Sequence, residues 1–176
     1  EIVNGGHDVP LADGTLPPYP DAQIDAVIAL CHSIFVCHTI PASRVVAHSD
    51  IAPARKTDPG EHFPWARLAA AGIGLWPAAG PENHGDEILL PGDTSETVRH
   101  AQSSLRTIGY GLEATGIYDD ATRLTVTAFQ RHWLPDMLTG HGDARTLARL
   151  RDVYAAVTAS SDPSSTSSSS SGSRTS

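Results

Sequence analysis

The chain has 176 residues, enough for one ordinary domain or two small ones, and a hydrophobic content of 40% can supply a core. Its formal net charge of -8, from 20 acidic against 12 basic residues, repels phosphate backbones and anionic lipid, which makes nucleic acid and membrane surfaces poor candidates as partners. No apolar run reaches the ~20 residues needed to span a bilayer.

Residues 1 to 19 read as a short extended segment, "EIV", and a loop rich in Gly, Pro and Asp. In "YPDAQIDAVIALCHSIFVCHTIP", Ile24, Val27, Ile28, Cys31, Ile34 and Phe35 recur at the spacing of one helix face, and Pro41 closes the segment. Cys31 and Cys37 lie six residues apart on that helix, a rise of ~9 Å, beyond disulfide reach, and read as buried thiols. The β-branched run "RVVAH" predicts a buried strand that delivers His48 at its end. "FPWARLAAAG" predicts a brief helix with Gly72 as its C-cap, followed by "GIGLWP".

Residues 78 to 93 follow neither period, are rich in Gly, Pro and acid, and predict a linker. Three helices are expected beyond it, in "TSETVRHAQSSLRTIGY", "DDATRLTVTAFQRHW" and "DARTLARLRDVY". "TGIYDDAT" at Thr115 and "TGHGDART" at Thr139 share one frame, which puts Asp119 and Asp143 at N-cap positions. The Ser-rich stretch 155–176 is expected to be disordered.

The stretch "HSDIAPARKTDPG", residues 48 to 60, frames Arg55 and Lys56 with two groups that can ligate a metal, His48 and Asp58. Pro53 and Pro59 stiffen it. Lys56, two residues before Asp58, would share a side with it in extended backbone and could steady an oxyanion. On the residues alone, the default is a surface loop pairing Arg55 and Lys56 with Asp50 and Asp58. Trp65 and Trp76 could stack on sugars, although core packing is the commoner role; Tyr110, Tyr118 and Trp133 carry the same ambiguity.

The segment from His48 through "HFPWARLAAAGIGLWP", with "PPYPDAQIDAVIAL" and "EIVN" before it, resembles the zinc-dependent N-acetylmuramoyl-L-alanine amidases of the AmpD/AmiD type, related to the peptidoglycan recognition proteins. The resemblance implies an α/β amidase domain, a mixed sheet with helices, present in part over 1–77. It implies zinc as cofactor with His48 and Asp58 as ligands, Lys56 near the scissile carbonyl, and Glu1 as the catalytic acid-base residue. Residues 94–154, with the repeat and "FQ" at Phe129, resemble a small all-α three-helix peptidoglycan-binding module. Together they imply hydrolysis, by zinc-activated water, of the amide joining N-acetylmuramic acid to L-alanine in peptidoglycan or muropeptides, by a monomer in the periplasm or cell envelope. A cytoplasmic recycling amidase is the alternative location.

The family's third zinc ligand, a histidine on an early strand, has no counterpart here; the chain reads as N-terminally truncated and inactive by itself. His7, His38 and His62 read as exposed or capping residues rather than replacements. A non-catalytic peptidoglycan-binding protein is the competing reading.

Overall fold

The structure, a computed structural model, describes residues 2–80 and 87–160. Six α-helices follow in order: α1 (Asp21–Cys37), α2 (His48–Ile51), α3 (Trp65–Ala70), α4 (Glu96–Ile108), α5 (Asp120–Trp133) and α6 (Ala144–Ser160). Short 3-10 turns at Gly6–Asp8 and Ala42–Arg44 complete the regular structure among the described residues.

The expected α/β architecture with a mixed sheet is not what forms: the described residues contain no strand, only two isolated antiparallel bridges, Leu89 with Gly142 and Thr94 with Ile117. "RVVAH" shows why. Val45 and Ala47 do have extended backbone. An extended segment becomes a strand only when a neighbouring strand accepts its ladder, and here the Ala47 N–H is taken by the Asp50 carboxylate at 2.8 Å. The chain then turns at once into α2, so His48 opens a one-turn helix instead of ending a strand. In "EIV", Ile2 and Val3 are exposed and outside any helix or strand.

The N-terminal core joins Ile24 of α1, Phe63, and Trp65 and Leu68 of α3 to Ile73, with Val27, Ile28, Cys31 and Phe35 of α1 packed on it. Gly72 follows α3 at φ +80, and Ile73 N–H reaches back to Leu68 O at 2.9 Å. That closing turn needs the left-handed conformation a glycine adopts freely, and it drives Ile73 into the core with no exposed surface. Cys31 and Cys37 are free thiols, but Cys31 is only half-buried and Cys37, in the last turn of α1, is exposed, so the expected burial does not hold.

In the C-terminal half, α4 packs on α6 around Val98, Leu105, Val126, Phe129, Leu150 and Val153. The repeat is a repeat of chemistry. Gln102 Nε2 donates to Ile117 O and Thr122 Oγ1 at 2.9 and 2.8 Å, while its Oε1 accepts from Gly116 N at 2.8 Å. Gln130 does the same one unit later, with His141 O, Thr146 Oγ1 and Gly140 N at 3.0, 2.9 and 2.8 Å. Each glutamine staples a helix to the Thr-Gly turn that launches the next helix. Asp119 and Asp143 then cap those helices by accepting from Thr122 N and Thr146 N, and Ser95 caps α4 through Val98 N.

Two boundaries differ from expectation. Leu89, assigned to the linker, is buried in this core, and α6 runs through Ser160, so 155–160 are helical. The remainder of the Ser-rich stretch, residues 161–176, lies outside the described residues.

Candidate functional site

The loop from α2 to Gly60 is built from consecutive turns: Ala52 N–H to His48 O, Arg55 and Lys56 N–H to Ala52 O, and Gly60 N–H to Thr57 O. Ser49 N–H donates to Asp58 O at 3.1 Å, which pins the two ends of the loop together. Outside contacts hold its far limb, Tyr19 OH on Pro59 O at 2.8 Å and Thr57 Oγ1 on Asp8 Oδ2 at 2.9 Å. The Asp58–Pro59 bond is cis.

This folding brings His48 Nδ1 to 2.5 Å from Asp58 Oδ2, although ten residues separate them in sequence. Both side chains are substantially exposed, on the wall of a cleft of about 910 Å³. Lys56 lines the same cleft, as do Asn4, His7 and Asp8 of the N-terminal segment and Phe63 and Trp65. Imidazole and carboxylate are donors that zinc takes, and their convergence suits two positions of a three-ligand catalytic site. Among the described residues no third His, Cys, Asp or Glu joins them. Glu1 lies outside the described residues.

The three histidines weighed as replacement ligands divide. His7 is paired at the cleft edge, its Nδ1 donating to Glu61 Oε2 at 2.8 Å. The His62 ring nitrogens are buried beside Tyr19, contrary to the expectation of an exposed residue, and burial holds its pKa below the ordinary value. His38 caps α1 through its backbone N–H to Ile34 O.

Sequence reasoning placed Asp50 on the surface beside Arg55 and Lys56. It is instead buried, 6% exposed, and faces the other half of the molecule. Its Oδ1 accepts from Tyr110 OH at 2.7 Å, and its Oδ2 lies 2.7 Å from His132 Nδ1 and 2.8 Å from Ala47 N. Burial pushes its pKa up, but His132, the Ala47 amide and Tyr110 outweigh that and hold it below the usual carboxylate value. Burial and the facing Asp50 push the Tyr110 hydroxyl far up, keeping it a donor.

His132 is stacked between two indoles, its ring centroid 3.9 Å from Trp65 and 4.1 Å from Trp133. Trp133 in turn lies 6.0 Å from Trp76, with the Arg149 guanidinium 4.8 Å over the Trp76 ring. The tryptophans considered for sugar stacking are thus the filling between the two halves. Nearby, the buried Arg131 stands 3.5 Å from Glu61. Sequence contained the ring-bearing residues of this junction but no sign that α2 would rest on α5, because partners 60 and 82 residues apart follow no local period.

Residues 1–61 match the N-acetylmuramoyl-L-alanine amidase family, and residues 94–150 match the peptidoglycan binding domain family. N-acetylmuramoyl-L-alanine amidase AmiD of Escherichia coli strain K12 is 37% identical over 153 residues, covering 84% of this chain and 53% of that protein. The 1,6-anhydro-N-acetylmuramyl-L-alanine amidase AmpD of Enterobacter cloacae is 43% identical over 53 residues, 30% of this chain and 28% of that one. Among solved structures, the complex of E. coli AmiD with anhydro-N-acetylmuramic acid-L-Ala-D-gamma-Glu-L-Lys matches with a TM-score of 0.68 at 35% identity, over 82% of this chain and 56% of that one. AmpDh3 of Pseudomonas aeruginosa matches with a TM-score of 0.63 at 30% identity, over 81% and 56%. The chain therefore spans about half the length of the longer relatives it matches.

Proposed function

We propose, for a chain whose residues 1–61 match the N-acetylmuramoyl-L-alanine amidase family and whose residues 94–150 match the peptidoglycan binding domain family, a role in hydrolysing the amide between N-acetylmuramic acid and L-alanine. The observation that carries the proposal is the meeting of His48 and Asp58 at 2.5 Å on the wall of a large cleft. These two residues would hold zinc together with a further donor. Bound there, zinc would supply Lewis acidity and a water of near-neutral pKa.

The chain's own groups would do the rest. The Lys56 ammonium, on the same cleft, would meet the negative charge that develops on the scissile carbonyl oxygen. Glu1, on the strength of the "EIVN" resemblance, would accept the water proton and return one to the leaving amine. The three-helix half would hold the polymer and raise the local concentration of cleavable bonds. A holder of insoluble wall is of use where wall is present, which favours the periplasm or envelope over the cytoplasm.

Zinc titration and peptide release from purified muropeptides test the proposal together. His48→Ala and Asp58→Ala should each weaken zinc binding by more than about 100-fold, since even indirect supports of a metal site are worth 10- to 100-fold. Zinc binding and cleavage that are indifferent to both substitutions would overturn it. Retention on sedimented peptidoglycan without zinc binding or cleavage would leave the wall-binding reading in its place.

A further inference from the structure

A carboxylate buried two residues from a candidate metal ligand, and held by side chains of the opposite module, has a consequence for that ligand. We infer that the wall-binding module is a structural component of the amidase site, in which Tyr110 and His132 act as positioning residues that hold Asp50 and, through it, the turn presenting His48. The inference rests on the reading of His48 as a metal donor.

The helix α2 has four residues. One turn of helix cannot sustain itself in water, because nucleation fixes several dihedrals for a single hydrogen bond. Its first turn is completed by Asp50 Oδ2, which accepts from Ala47 N–H, the residue immediately before His48. The same carboxylate needs its remaining lone pairs satisfied, since it is withdrawn from water. Both further partners come from the other module: Tyr110 OH at 2.7 Å and His132 Nδ1 at 2.7 Å.

Those partners are themselves fixed. Gly109, at φ +132, ends α4 in a turn that sends Tyr110 inward, where it is 4% exposed. His132 is clamped between Trp65 and Trp133 and is 3% exposed. The His48 ring, by contrast, is largely exposed and is paired with Asp58 of the same loop, so its placement follows from how that loop's backbone is held. A chain of hydrogen bonds thus runs from the three-helix core to the base of the metal-donor loop. A module that served as a tether alone would need a linker and no buried contact with that loop.

The test uses the full chain and the isosteric Tyr110→Phe, which removes one hydroxyl, together with the double variant Tyr110→Phe/His132→Gln. Arg149→Met is the control, because Arg149 also lies in the junction, over Trp76, but does not touch Asp50. Two measurements are made on each: amide hydrogen exchange across residues 47–52, and Co2+ and Zn2+ affinity with the Co2+ absorption spectrum. Tyr110→Phe should speed exchange at 47–52 and weaken metal binding about tenfold, as supports behind metal ligands do, with a larger effect in the double variant. Arg149→Met should leave metal affinity unchanged and speed exchange at 47–52 no more than its loss of global stability, measured by denaturation, accounts for. Unaltered exchange in the double variant, or an equal loss of metal binding in Arg149→Met, overturns the inference. Failure of the parent chain to bind either metal, with exchange still responding to Tyr110→Phe, supports the positioning role and counts against the metal reading alone.

Discussion

At the scale of single residues, the loop turns on groups whose neighbours decide their behaviour. Burial keeps the His62 pKa below 6.5 in the folded state. The unfolded chain therefore binds a proton near pH 6.5 that the folded one refuses, and the stability present above that pH is lost as the pH falls. The thermal midpoint should drop between pH 7.5 and 5.5, and His62→Gln should flatten part of the drop; parallel profiles for parent and variant would contradict this. Gly60 sits at φ +90, and a Cβ there would stand 3.0 Å from His7 N and from His62 Cε1. Gly60→Ala should cost about 1–3 kcal/mol in urea unfolding, the scale of a forced left-handed conformation. Asp50 marks what could not be seen in advance. An aspartate amid Arg and Lys in a proline-rich loop has the composition of a surface group, and only Tyr110 and His132, far along the chain, make it an interior one.

At the scale of elements, the five longer helices were legible because each carries its own signals, whereas the one-turn α2 carries none and reads as loop. The apolar spacing of α1, the serine before α4 and the aspartates before α5 and α6 are local, and the structure uses them as caps and faces. Asp119→Ala and Asp143→Ala should each destabilise the protein by about 1 kcal/mol by calorimetry. The strands failed for the complementary reason, since β-branched residues favour extended backbone but cannot provide the neighbour that turns it into sheet. The buried glutamines were half legible. The Thr-Gly frame was visible, but that Gln102 and Gln130 join each turn to the preceding helix depends on tertiary geometry. Gln102→Leu should cost more than about 2 kcal/mol, because Gly116 N–H and its neighbours would be left buried without partners. A smaller loss would mean that the turn finds other donors and acceptors.

At the scale of the whole molecule, the two cores meet through stacked rings, with Trp76 packed against both. Arg149 joins them further, over Trp76 and with hydrogen bonds to Pro77 O and Trp133 O at 2.6 and 3.2 Å. Arg149→Met should lower overall stability by about 2 kcal/mol, and Arg149→Lys should not restore it, since a lysine cannot lie flat on an indole while donating to two carbonyls. Chemical denaturation followed by tryptophan fluorescence measures both.

The buried Asp50 also bears on how such proteins diversify. If the protein's two halves were interchangeable cassettes, any tolerant spacer could join them. Here a graft replacing residues 94–150 would have to bring a hydroxyl and an imidazole to the same two points around Asp50. A foreign cassette lacking them would leave that carboxylate in the seam short of two of its three partners.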